Sequence, residues 1–147
     1  RYALRMLIEI DRMGEGGKAV SLKDIAARTR ISRRYLEQLA IGLKNGSLIR
    51  GLSGRSGGYR LARPAEQITI GQIFSAAIGP INIVDCVRQP ESCLAAEVCG
   101  CRSIYQLLNS RITEVLDEFT LADLASRDQA KALQKTLAGA EQGCPAR

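Results

Sequence analysis

The sequence predicts a mainly α fold with one small β-hairpin and one long helix towards the C-terminal end. Three observations predict it. Two short stretches with helical apolar spacing, residues 21–28 and 32–45, are joined by a tight turn. Leu48-Ile49 and Tyr59-Arg60-Leu61 flank a tip that holds Gly51, Gly54, Gly57 and Gly58, which is the pattern of a hairpin with a long loop. From Ser103 to Phe119 apolar residues recur every three or four positions, enough for about five helical turns.

Each element can be justified in order. YALRMLIEIDRM (2–13) places Ala3, Met6, Leu7, Ile10 and Met13 on one face, and Gly14, Gly16 and Gly17 stop the helix. Ser21 and Asp24 form a capping-box pattern, with Asp in place of Glu, and open a helix that buries Leu22, Ile25 and Ala26. The turn Thr29-Arg30-Ile31 follows. Ser32 then caps a helix whose buried stripe is Leu36, Leu39, Ala40 and Leu43, and Asn45-Gly46 ends it. Helix, helix-turn-helix and hairpin is the order of a winged helix. Pro64 starts a connector, and Thr69 with Gln72 makes a second capping box for a helix over 70–78, closed by Gly79-Pro80. Residues 81–84, INIV, read as a short extended run, and a cysteine-bearing loop over 85–101 follows.

The long helix carries Ile104, Leu107, Leu108, Ile112, Val115, Leu116 and Phe119. It has charged faces and no evident third layer to receive the stripe. Ile104, Leu108, Ile112, Val115 and Phe119 are therefore the candidates for a dimer interface, with packing on the helix's own domain as the alternative. Thr120 and Asp123 cap a final short helix, and residues 127–147 are expected to form a flexible tail. Four parts follow: a winged helix-turn-helix over 1–64, a connector with the cysteine loop over 65–101, the dimerisation and cap helices over 102–126, and the tail.

Charge separates the two halves. Residues 1–63 hold fourteen Lys and Arg against five acids, a net +9, whereas residues 64–147 hold seven against ten, a net −3. Such a basic module beside a mildly acidic one is the footprint of polyanion binding. No apolar run approaches the roughly 20 residues of a membrane span, so no membrane partner is expected. No leader pattern is visible, and the chain begins at Arg1 without Met, as expected if a short piece precedes it. An enzyme is not expected either. The chain has no histidine, no convincing nucleophile–base pair, and no phosphate loop between a strand and a helix.

In a helix-turn-helix the second helix enters the major groove with its first residues at the base edges. That assigns Ser32, Arg33, Arg34, Tyr35, Glu37 and Gln38 to DNA. Gln38 suits adenine and Glu37 suits the cytosine amino group, unless Glu37 is spent on a salt bridge to Arg33 or Arg34. Arg33, Arg34, Lys44 and Arg50 are phosphate contacts, and Ser53 and Arg55 on the wing face the minor groove. A solvated loop arginine is the alternative for Arg55.

Four of the five cysteines gather as Cys86-x6-Cys93-x5-Cys99-x-Cys101. Structural zinc sites favour closer pairs and often use histidine. The polar loop, with Arg88, Gln89, Pro90, Glu91, Ser92 and Gly100, is a poor place for four core thiols. By chemistry alone an iron–sulfur cluster leads, then bare redox thiols, then zinc.

RYALRML (1–7), IS-x-x-YLEQL (31–39), G-x-x-GGYRLA (54–62), ITIGQI (68–73), the cysteine loop and TLADL (120–124) carry a resemblance. Over residues 1–126 the chain resembles the winged helix-turn-helix regulators of the IscR, NsrR, RirA and CymR type. The resemblance implies a homodimeric, cytoplasmic bacterial transcription factor on a pseudo-palindromic double-stranded DNA operator. It implies affinity gated by an iron–sulfur cluster that senses redox state, nitric oxide or iron–sulfur status. A member without a cluster, sensing through thiols or a partner protein, is the alternative within regulation, and an iron–sulfur electron carrier is the alternative of another class.

Counted from Tyr59 and back from TLADL, Cys86, Cys93 and Cys99 fall on the relatives' cluster ligands, with one extra residue between the first two. Arg102 stands where some relatives have a histidine ligand, Arg1 where others have an aspartate, and Ser53 where the wing usually has arginine. The fourth ligand is thus unassigned, with Cys101 as the candidate, and a 2Fe–2S cluster is preferred over 4Fe–4S.

Overall fold

The structure, a computed structural model, describes residues 1–54, 57–126 and 128. Arg55, Ser56, Arg127 and residues 129–147, including Cys144, lie outside the described residues. Seven helices and one hairpin are found in it: α1 (Tyr2–Met13), α2 (Leu22–Thr29), α3 (Arg33–Asn45), β1 (Ile49–Leu52), β2 (Gly58–Leu61), α4 (Ile70–Ile78), α5 (Asp85–Arg88), α6 (Gly100–Glu118) and α7 (Leu121–Ala125).

Thr69 and Gln72 form the capping box that their pattern predicts, whereas Ser21 caps α2 with its side chain alone. Ser21 Oγ accepts from the Asp24 amide at 3.2 Å and donates to its carboxylate at 2.6 Å. The α2–α3 turn rests on Arg30 in the left-handed conformation, φ 56°, which costs a non-glycine residue about 1–2 kcal/mol. The flanks of the turn hold it there. Thr29 is the buried polar residue of this turn; its Oγ1 donates to Ile25 O at 2.7 Å and accepts from Ile31 N at 3.3 Å. Arg5 Nη2 reaches back from α1 to the Thr29 carbonyl at 2.5 Å.

The strands run further towards the tip than the sequence pattern marks. They pair antiparallel as Ile49↔Leu61, Arg50↔Arg60, Gly51↔Tyr59 and Leu52↔Gly58. Val20 forms an isolated bridge with β2, donating to Tyr59 O at 2.8 Å and accepting from Tyr59 N at 2.9 Å. Gly58 permits that approach, because a Cβ there would overlap the Val20 carbonyl.

Met6, Leu7, Ile10, Ile25, Leu36, Leu43, Leu48, Ile68, Ile73 and Leu121 are the largest fully buried side chains. They come from α1 to α4, the hairpin base and α7, so the last helix is part of the same core as the first. Leu121 N donates to Ile68 O at 2.8 Å, Ile70 N to Phe119 O at 2.9 Å, and the Arg12 guanidinium to Ala125 O at 2.9 Å. Thr120 and Asp123 form a complete capping box at the start of α7.

The long helix begins earlier than its apolar repeat. Cys99 is its N-cap and Gly100 its first residue, so Cys101 and Arg102 stand in its first turn and not in the loop. The 81–84 run is not a strand. Ile83 N donates to Asn109 Oδ1 at 3.1 Å and Asn109 Nδ2 to Asn82 Oδ1 at 2.9 Å, so α6 supplies the partners that a second strand would have supplied.

Candidate functional site

The helix-turn-helix presents one polar face. Leu36, Ala40 and Leu43 point α3 into the core, which leaves Ser32, Arg33, Arg34, Tyr35, Glu37, Gln38 and Lys44 exposed on the other side. Ser32 Oγ accepts from Tyr35 N at 3.3 Å, so this side chain is engaged in capping the helix. Glu37 is held by Arg33, Nε to Oε1, at 3.0 Å. Both side chains are exposed, where such a pair stabilises by only about 0.2–1 kcal/mol. Its larger effect is to neutralise the one carboxylate of α3. Tyr35 meets Tyr2 edge to face, with ring centroids 5.5 Å apart, and Arg1 stacks over Tyr2 at 4.7 Å. Arg50 and Ser53 are exposed on the wing.

α3 is coupled closely to α4. Gly42 and Gly46 face Ala76: a Cβ on Gly42 would overlap the Ala76 carbonyl oxygen, and one on Gly46 would lie 2.7 Å from Ala76 Cβ. A glycine inside a helix costs about 1 kcal/mol relative to alanine, and here it permits the crossing. α4 in turn abuts α6, because Gly71 lies under the Asp117 carboxylate and Thr69 Oγ1 donates to Asp117 Oδ1 at 2.8 Å. The sequence marks Gly46 only as a helix stop, and sequence reasoning missed the packing role of all three; for Gly42 and Gly71 the one legible signal is glycine inside an otherwise regular helical pattern. Gly42→Ala is expected to destabilise by about 1–3 kcal/mol, as overpacking does, although alanine is the better helix former. A denaturant melt checks this, and a more stable variant would show that the two helices can move apart freely.

The cysteine segment is a chain of single turns. Cys86 lies in α5, Cys93 follows a 3₁₀ turn over Pro90–Ser92, Cys99 caps α6 and Cys101 is in its first turn. All four thiols are free; Cys86, Cys93 and Cys99 are half-buried and Cys101 is exposed. Arg102 Nε donates to the Cys86 carbonyl at 3.1 Å and so ties α5 to α6. By donor chemistry three or four thiolates fit an iron–sulfur cluster. Among the described residues, however, no three cysteine, aspartate or glutamate side chains converge closely enough to hold a metal ion.

α6 shows two different regions along its length. Ile104, Leu107, Leu108, Ile112 and Val115 are between 37% and 59% exposed, a run of apolar side chains unusual on a free surface. Leu116 and Phe119 instead pack against the core, so Phe119 stands apart from the other interface candidates. No helix among the described residues is long and apolar enough to cross a membrane.

The profile of the Rrf2 family, described as an iron-dependent transcriptional regulator, matches residues 1–127. The transcriptional regulator CymR of Bacillus subtilis is 37% identical over 127 residues, covering 86% of each chain. Its solved structure superposes with a TM-score of 0.67, covering 85% of this chain and 91% of that one. The regulator IscR of Pectobacterium atrosepticum is 32% identical, covering 88% of this chain and 77% of that protein. The structure of IscR from T. potens is 29% identical with a TM-score of 0.62, covering 99% of this chain and 88% of that one.

Proposed function

This chain belongs to the Rrf2 family of transcriptional regulators, and from that premise we propose that it is a homodimeric, cytoplasmic regulator whose grip on a pseudo-palindromic operator responds to its cysteine segment. The family is one of regulators, not enzymes. The observation that carries the DNA part is the exposed polar face of α3 on a module of net charge +9. Gln38 reads a base edge from that face, while Arg34 and Lys44 hold phosphates and set the register. Arg33 keeps Glu37 neutralised, so the carboxylate does not repel the backbone. Ile104, Leu108, Ile112 and Val115 meet the same stripe of a second copy, with Leu107 added to them, and so space two recognition helices for two half-sites.

In this reading Cys86, Cys93 and Cys99 hold an iron–sulfur cluster, and Cys101 is the candidate for a fourth thiolate. When bound, such a cluster supplies a redox-active link between thiolates that oxidants and nitric oxide can break. The chain's own residues carry the signal onward. Arg102 joins α5 to α6, Asp117 joins α6 to the start of α4, and Ala76 of α4 bears on Gly42 and Gly46 of α3. A shift of α6 therefore reaches the recognition helix through rigid contacts.

A second reading has its own support. The four thiols do not converge, Arg102 is engaged with a backbone carbonyl, and CymR is as similar to this chain as IscR is. Here the thiols, or a partner protein, are the sensor. Iron and sulfide per chain, with a visible spectrum of anaerobically purified protein, decide between the two. Cluster gating expects charge-transfer absorbance and bound iron. Protein free of both would remove the cluster while leaving salt-dependent binding to duplex DNA intact, and cysteine-to-alanine variants would then still alter the redox response.

A further inference from the structure

Arg50 and Arg60 face each other across the hairpin. Like charges directly opposite on paired strands destabilise the sheet unless something neutralises them. Neither takes part in an ion pair among the described residues, and neither does Arg63, two residues beyond the strand. The three guanidinium-bearing side chains line one cleft of about 330 Å³ between the end of α1, the 14–17 turn and the base of the wing. Arg63 is held in place without being neutralised: its Nη2 donates to Gln72 Oε1 at 2.7 Å, and its buried Nε has no partner. Arg60 leans over the turn, where a Cβ on Gly17 would lie 4.0 Å from its Nη1.

Asp11 is the one carboxylate that lines the cleft among the side chains described, and no ion pair joins it to the three arginines. Burial and the neighbouring Glu66 hold its carboxyl above the usual range, and the guanidinium that acts against them is that of Arg12. Among the described side chains, the wall of the cleft thus gathers three positive groups with no ion-pair partner, in a space large enough for a small ligand. The cleft opens beside a second one, shared at Asp11, Gly14, Leu61 and Arg63 and bounded further on by Ala122 and Ala125 of α7.

We propose that this cleft, lined by Arg50, Arg60 and Arg63, binds a small doubly charged oxyanion of the phosphate class. Guanidinium forks match the geometry of phosphate oxygens and bind them by charge-assisted hydrogen bonds. An anion here relieves the Arg50–Arg60 repulsion and ties the base of the wing to α1. The inference rests on the cleft alone, not on how the cysteines sense.

The test is a calorimetric titration of the full chain with inorganic phosphate, at an ionic strength held constant with chloride. Saturable binding is expected. Arg60→Gln is expected to weaken it at least about tenfold while the thermal melt in phosphate-free buffer holds or rises, since the Arg50–Arg60 repulsion is removed, and Asp11→Asn to strengthen it. Arg63→Gln serves as a second variant should Arg60→Gln fail to fold. No saturable heat from the wild-type chain would overturn the proposal, as would wild-type affinity in both arginine variants. If phosphate titration is flat while Arg60→Gln weakens binding to duplex DNA and lowers its salt slope, the arginines serve the DNA backbone and the proposal is wrong.

Discussion

Leu121→Ala is expected to lower the unfolding free energy by about 3 kcal/mol, within the range of about 2–5 kcal/mol for a buried leucine. Leu121 is fully buried, and it belongs to a helix of only five residues. An isolated helix so short does not form by propensity. α7 is held by its packing, by the Leu121–Ile68 backbone bond and by Arg12 on Ala125. The cavity left by the truncation lies against Ile68 and α1, in the core that positions α3. For a chain of this size the loss corresponds to a drop in Tm of roughly 6–12 °C. A thermal or urea melt reads it. A change below about 0.5 kcal/mol, the usual scale of a surface substitution, would mean that α7 is only an appendage.

The Leu108→Glu, Ile112→Glu double variant is expected to do the opposite: leave the fold of each chain intact and separate the dimer. Both side chains are exposed in the single chain, so charge there costs the monomer little. In the proposed dimer four carboxylates would have to enter an apolar seam, which is prohibitive without partners. Sedimentation is expected to show a monomer. Operator affinity is expected to fall by about 100-fold or more, because a single recognition helix loses the gain from linking two half-sites. A variant that unfolds would point to the stripe packing within its own chain. A variant that stays dimeric would place the interface elsewhere.

Much of the DNA-binding part was legible because its signals are local. The bounds of α1, α3 and α4 follow from apolar spacing and from caps at Ser32 and Thr69, which act within one turn of chain. The Arg33–Glu37 pair was likewise foreseeable, as residues four apart on a helix are neighbours. The cysteine segment was less legible. Its turns have no period, and the entry of Cys101 and Arg102 into α6 depends on Cys99 acting as a cap without a side-chain bond. In the sequence Arg102 stands only where some relatives have a histidine ligand; in the structure it is a strut, since its partner is a backbone carbonyl sixteen residues away. Backbone acceptors leave no trace in the sequence.

By itself, then, the sequence determined the order of the elements, the face that α3 turns outward, the charge asymmetry and the family. Those properties are set by neighbours along the chain and by motifs that keep their spacing. Only the tertiary structure decided that α7 closes the core against α1, that Gly42, Gly46 and Gly71 let α4 stand between α3 and α6, and that Arg50, Arg60 and Arg63 share one cleft. Each of these depends on a close approach between residues distant in the chain, and such approaches are fixed by packing in three dimensions, which no local pattern encodes.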